Sequence, residues 1–366
     1  MERSIATSTV QAPEARLPAR PLASQLREGL ERADPAYITL LFVALALLVY
    51  VASNPERQNF YNHFVWQADA FLDGRFAITW PVAEGAHVNY YFQDVMPLRG
   101  QPGYGLIPFP PLPAILLLPL VAMFGLSADA ALLAAVLGAL NVGLAWRMLL
   151  RVTNDRVVAV LATVFFGFGT VHWYAAMLGS TWFLAHVVAT TFLLLAIPLA
   201  LDAEQRQLVR ARAGWLRRTV TRLIDPVQFA AGLLFGVAGL ARLTVLLGAP
   251  FFVFVGGGGS VSRRAFSAGL GAVIPFSLLL AYNLVSTGHL FHPAYEYLYQ
   301  TEYSPRPELI HRDWMIEDPR YIPQNSVIML AWPPEVRPEC GLSLLDPGCP
   351  LLRPDPLGMS LLLTSP

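Results

Sequence analysis

The residues best suited to chemistry gather in one polar stretch, Asn54 to Tyr104, which holds Glu56, Asp69, Asp73, Glu84 and Asp94 among many aromatic side chains. Asp69 and Asp73, in QADAFLDGRF, are four apart and share one face if the stretch is helical. Held over a membrane, such an acid is an acceptor-side base or a metal ligand. The plainer reading is two solvated acids on an interfacial helix whose Phe64, Val65, Ala68, Phe71 and Leu72 meet headgroups. His63 is a second candidate base, since imidazole titrates near neutrality. Asp94, in NYYFQDVM, has aromatic neighbours that suit a sugar platform or an interfacial belt equally well.

Other candidates lie farther along. His172 and His186 flank a short turn, VHWYAAMLGSTWFLAH, expected to bring them together with Trp173 and Trp182. Histidines there can ligate a metal, bond a phosphate or rest at an interface. Arg242 is the only charge well inside an apolar stretch, where a lone cation costs several kcal/mol. It either holds a phosphate through charge-assisted hydrogen bonds, with Thr244 assisting, or snorkels to headgroups. Tyr295, Tyr297, Tyr299 and Tyr303 alternate with Glu296 and Glu302, a mix fit for saccharide contact or for an amphipathic interfacial element. Cys340 and Cys349 are the only cysteines; they close a small loop in an oxidising exterior or stay as two thiols.

The elements that must position these residues follow from composition. Hydrophobic residues make up 55% of the chain and charged residues 14%, the profile of an integral membrane protein. Formal net charge is zero and no nucleic-acid partner is expected. No cleavable signal peptide is apparent in 1–36, which reads as a cytoplasmic tail, so the first apolar run stays as an anchor. All 25 basic residues are arginine, and their clusters at 3–32, 147–156, 206–222 and 263–264 decide the topology. If 105–126 and 227–256 each cross once, two of those clusters fall outside. If 105–126 lies in the interface and 227–256 is a hairpin turning at Arg242, all four fall inside. That layout gives spans at 37–53, 128–147, 157–179, 182–201, 227–241, 243–256 and 266–286, with outer loops at 54–104 and 287–356. Residues 357–366 read as the start of a further span, so the chain is expected to be a truncated product or fragment.

The segments NHFVWQADAFLDGRF, FPPLPAILLLP, GLARLTVLLGAP and RYIPQNSVIMLAWPP give the chain, over about 37–366, a resemblance. It resembles the GT-C glycosyltransferases, particularly family 39-like mannosyl and aminoarabinosyl transferases of membranes. The resemblance implies an all-α, multi-span helical bundle with two outer loops carrying juxtamembrane helices. It implies a polyprenyl-phosphate-linked sugar donor and a lipid, glycan or protein acceptor, used at the outer face of a bacterial cytoplasmic membrane. By position the acid falls on Asp69 and the phosphate-binding base on Arg242. The chain departs from the family where an Asp-Glu pair is usual: it reads Tyr61-Asn62-His63, and Asn62 can bind a substrate but cannot take a proton. Asp69 and His63 are therefore the catalytic candidates. Arg242, Asp94, Asn62, His172, His186, Trp182, Tyr295 and Glu296 are the binding candidates. No cofactor is specified, and a divalent metal stays open. The rival classes are a transporter or lipid-carrier flippase, which needs a polar path across the spans, and a catalytically inactive membrane protein.

Overall fold

The computed structural model describes residues 22–56, 61–79, 94–98, 100–101, 103–202, 224–255, 260–294, 314, 318–341, 349 and 351–353. Tyr295 and Glu296 lie outside them.

Four helices are long and apolar enough to cross a membrane: α2 (Pro35–Ser53), α5 (Ala130–Val152), α8 (Thr181–Asp202) and α11 (Val261–Thr287). Helices α6 (Arg156–Phe168) and α7 (Val171–Leu178) meet at a 49° bend and count as a fifth if they form one span. The chain therefore has the architecture of an integral membrane protein. Short aspartates set where the helices begin. Asp34, Asp129, Asp155 and Asp225 each accept a backbone N–H of the first turn of α2, α5, α6 and α9 (Pro226–Gly239). Four acids are thereby committed to capping.

The bundle has two chemically distinct ends. At one, Arg156 donates to the carbonyls of Leu30 and Ala33 at the close of α1 (Leu22–Arg32), and Arg151 pairs with Asp202 at 3.0 Å. Arg263 and Arg264 lie there too, in the first turn of α11. At the other end the chain leaving α2 is pinned by Asn54 Nδ2 donating to the Met177 carbonyl at 3.0 Å. It then forms α3 (His63–Leu72) and a three-stranded antiparallel sheet of β1 (Ile78–Thr79), β3 (Tyr104–Leu106) and β2 (Met96–Pro97). The described residues are thus mostly helical, with little strand.

The proline-rich segment after β3 is buried from Ile107 to Pro111 and then forms α4 (Leu112–Phe124). At 13 residues, about 20 Å, α4 is too short to cross a bilayer. It packs on α3, and the Leu112 N–H donates to the Leu240 carbonyl. Phe64, Val65, Ala68, Ile107, Phe109, Leu117, Leu184 and Val188 make one apolar core that joins the loop to the bundle.

Helix α9 is also short and stops at Gly239. Its backbone turns through Leu240 to Arg242, and a 3-10 segment (Leu243–Gly248) and α10 (Ala249–Phe254) follow. Contacts between α9 and α11 advance together: Asp225 bonds Ser267, Gly232 meets Ala268, and Gly236 meets Ala272 and Pro275. The two helices therefore run parallel, and the segment between them returns down α11 until Arg264 reaches the Val253 carbonyl. Arg242 consequently sits at the end of the molecule that carries α3. Beyond α11, the described residues form α12 (Ile322–Ala331) and a short β4–β5 ladder (Glu335–Val336 with Leu352–Arg353), and Cys340 is joined to Cys349.

Parallel packing this close depends on absent side chains. A Cβ at Gly232 would collide with the Ala268 backbone, whereas one at Gly269, on the same seam's partner helix, meets nothing within 4 Å. Gly232→Ala should therefore lower the unfolding midpoint in detergent, by about 1–3 kcal/mol of overpacking. Gly269→Ala should be neutral or stabilising through helix propensity. Equal behaviour of the two variants would contradict the seam.

Candidate functional site

The site is built around the start of α8. Gly179, at φ +57, makes the turn from α7, and a Cβ there would strike Ala131 and Ala134 of α5. Only glycine fits both the left-handed backbone and the approach. That turn delivers Thr181 beneath the loop. Its hydroxyl donates to the Tyr61 carbonyl at 2.9 Å, and its backbone N–H reaches the same oxygen at 3.3 Å. The same hydroxyl lies 2.8 Å from His63 Nδ1 and accepts the His63 backbone N–H. Because the hydroxyl proton points at Tyr61, the imidazole donates from Nδ1. His63 is fully buried among Tyr61, Trp66, Phe109 and Trp182. It forms a wall of the site.

Next to Thr181, the Trp182 indole N–H donates to Asp94 Oδ2 at 2.9 Å, and its ring meets Tyr61 edge-on at 4.8 Å. Asp94 has φ 71 and, glycines aside, is alone among the described residues in having a positive φ. Such a conformation is held only where the surroundings enforce it, and it clusters at functional positions. Here buried Val95 and the β2–β3 pairing fix the chain on its C-terminal side. Burial holds the Asp94 carboxyl above the ordinary carboxylate range, while the Trp182 hydrogen bond and the charge of Arg242 pull it part of the way back.

Arg242 completes the group. It is half-buried, and its Nε is shut off from solvent without a hydrogen-bond partner among the described residues. Its charge acts through space on Asp94 and on His186, one turn beyond Trp182 on α8. The arrangement is a cation with unused donors, a half-buried carboxyl and an aromatic lining, all at one end of the bundle. It suits an anion carrying a hydroxylated group.

Other expected residues fall elsewhere. His172 is not brought to Trp182 and His186. Its Nε2 lies 3.1 Å from the Gly138 carbonyl, and its ring stacks on Phe166 at 4.5 Å, inside the core between α2, α5 and α6. The 49° bend between α6 and α7 sets α7 chiefly against α5, and His172 goes with it. Trp173 likewise turns away, donating to Ser53. Asp73 pairs with its neighbour Arg75 at 2.6 Å. Asp69 is half-buried on α3, six residues or roughly 9 Å of helix rise beyond His63. Asn62 precedes α3 without a side-chain capping bond. Thr181, Tyr61 and Phe109 escaped the sequence reading, although the Gly179-Ser180-Thr181 turn signal was there to mark the helix start. His292, just past α11, accepts the Ala294 N–H, and burial pushes it down to about 4. Among the described residues, no group of three or more His, Cys, Asp or Glu side chains is placed to hold a metal ion.

No known protein family, curated protein or solved structure matches this chain.

Thr181 holds three partners with one oxygen. Thr181→Val should strand the His63 Nδ1 donor and remove the shorter of the two Thr181 bonds to the Tyr61 carbonyl, at a cost of about 1–3 kcal/mol, whereas Thr181→Ser should keep most of the stability. Thermal unfolding in detergent measures both, and an undiminished midpoint in Thr181→Val would remove the hydroxyl from this role.

Proposed function

We propose that the chain is a membrane glycosyltransferase that moves a sugar from a polyprenyl-phosphate donor to a hydroxyl acceptor at the outer face of the membrane. One observation carries this reading: Arg242, its Nε buried and without a hydrogen-bond partner among the described residues, stands at a helix break where its charge acts on Asp94, whose carboxyl meets the aromatic wall through Trp182. Its guanidinium offers the planar donors that a lipid phosphate takes up. In transfer, the acceptor oxygen bonds to the anomeric carbon and the carbon–oxygen bond to phosphate breaks. The electron pair leaves with the phosphate, where Arg242 stabilises the growing negative charge. The acceptor's proton goes to Asp94, whose burial raises its basicity.

Asp94 takes this role in preference to Asp69 and His63. It lies within the field of Arg242, whereas Asp69 is two turns along α3 and His63 is bonded into the Thr181 node. Trp182, Tyr61 and Trp66 line the sugar's place, and His186 flanks the phosphate. Two features support the outward orientation. Arg151, Arg156, Arg263 and Arg264 lie at the opposite end, as the positive-inside rule requires. The Cys340–Cys349 bond follows α11 and belongs to an oxidising compartment.

Transfer from a labelled polyprenyl-phosphate sugar tests the assignment. Asp94→Asn and Arg242→Ala should each lower turnover by about 10²–10⁴-fold, while Asp69→Asn stays within several-fold of wild type. The base acts ionised, so kcat/KM should rise with pH through a midpoint above the ordinary carboxylate range, and Asp94→Asn should lose that limb. Wild-type turnover in Asp94→Asn and Arg242→Ala would contradict the site, and selective loss in Asp69→Asn would move the base there.

A further inference from the structure

A second polar contact lies on the same face of α3, one turn beyond His63. Gln67 is 1% exposed, and its Nε2 donates to the Tyr282 hydroxyl of α11 at 2.9 Å. Its Oε1 is buried and has no hydrogen-bond partner among the described residues. Exchanging the amide's two ends would let the Tyr282 hydroxyl donate to the oxygen, but would leave the NH₂ group in the same position. In either orientation the pair keeps unused capacity in an apolar setting. Buried polar atoms in native proteins are nearly always bonded, so such an atom calls for a partner.

The surroundings say what kind of partner. The Tyr282 ring is met edge-on by Phe71 at 6.2 Å and by Phe76 at 5.7 Å, giving the amide and hydroxyl an aromatic rim. Tyr282 is only partly covered, so it is the open end of the pair. Its height is set by the parallel α9–α11 seam. Gly236 meets Pro275, Arg242 follows Gly236 by six residues, and Tyr282 follows Pro275 by seven. The pair and Arg242 therefore stand at about the same level on neighbouring elements.

We infer that Gln67 and Tyr282 form a hydroxyl-reading subsite that takes the sugar portion of a ligand whose phosphate is held at Arg242. One sugar hydroxyl donates to Gln67 Oε1 and accepts from the Tyr282 O–H, while a C–H face of the ring lies against Phe71 and Phe76. This rests on the glycosyl-transfer reading and adds to it the residues that select the sugar. A site built to bond a hydroxyl rejects ligands that lack it, because its own polar atoms are then left unpaired.

Binding to the purified full chain in nanodiscs separates this from the reading beneath it. The probes are farnesyl phosphate and farnesyl phosphate bearing glucose, mannose, N-acetylglucosamine or aminoarabinose. Wild type should bind at least one sugar-bearing probe about tenfold more tightly than farnesyl phosphate. Gln67→Met and Tyr282→Phe, which keep volume and ring contacts, should erase most of that preference and leave farnesyl phosphate affinity unchanged, while Tyr282→Phe, which strands the buried Gln67 amide, also lowers the unfolding midpoint. An undiminished sugar preference in both variants overturns the subsite. So does equal weakening toward all probes, which would make the pair a strut between α3 and α11. Wild type that binds farnesyl phosphate without a sugar preference overturns the subsite alone. Wild type that binds no probe overturns the glycosyl-transfer reading and the subsite with it.

Discussion

A guanidinium at the end of a short apolar helix is the constraint around which this end of the molecule is arranged. Keeping Arg242 at membrane depth costs several kcal/mol unless something anionic or wet accompanies it. Helix α9 ends at Gly239, so the charge stands at a turn and not within a helix. The turn is then tied in from above by the Leu112–Leu240 hydrogen bond, and the charge acts through space on Asp94. Asp94 needs the Trp182 indole, Trp182 needs the Gly179 turn, and Thr181 beside it straps the loop to the bundle. Each link costs little by itself. Together they hold a strained aspartate and an under-bonded arginine near one another, an arrangement more expensive than a purely structural one needs.

Much of the fold was legible because long apolar runs leave few alternatives in a membrane. The expected spans 37–53, 128–147, 182–201 and 266–286 overlap helices Pro35–Ser53, Ala130–Val152, Thr181–Asp202 and Val261–Thr287. The arginine clusters within the described residues share one end, as a single-sided charge bias demands. What hydropathy does not encode is local geometry. The run 157–179 reads as one span, yet it bends by 49° where Gly169 and Thr170 interrupt it. The run 243–256 begins as a 3-10 segment, and the small sheet within 78–106 has strands too short to show a period of two.

The site was partly legible for a related reason. Arg242 stood out because a charge inside an apolar run is anomalous wherever the chain folds, and Trp182 lies in the short turn that also marked His186. Choosing among the acids was harder, because their sequence contexts are alike. Asp69 lies on α3 and Asp73 caps its C-terminal end, but Asp73 is satisfied by Arg75, and helix rise carries Asp69 away from His63. Asp94 is singled out by a positive φ and by burial, which only tertiary structure confers. His172 illustrates the converse, since a histidine at a span end can equally be a core residue bonded to a backbone carbonyl.

The central claim is that Arg242 is a phosphate receptor, and the position of a bound phosphate tests it most directly. Electron cryomicroscopy of the full chain in nanodiscs supplied with polyprenyl phosphate would locate that group. The account predicts phosphate oxygens at about 2.7–2.9 Å from the Arg242 guanidinium, on the side facing Asp94. A phosphate seated instead at the opposite end, against Arg263 and Arg264, with Arg242 unaccompanied, would contradict it.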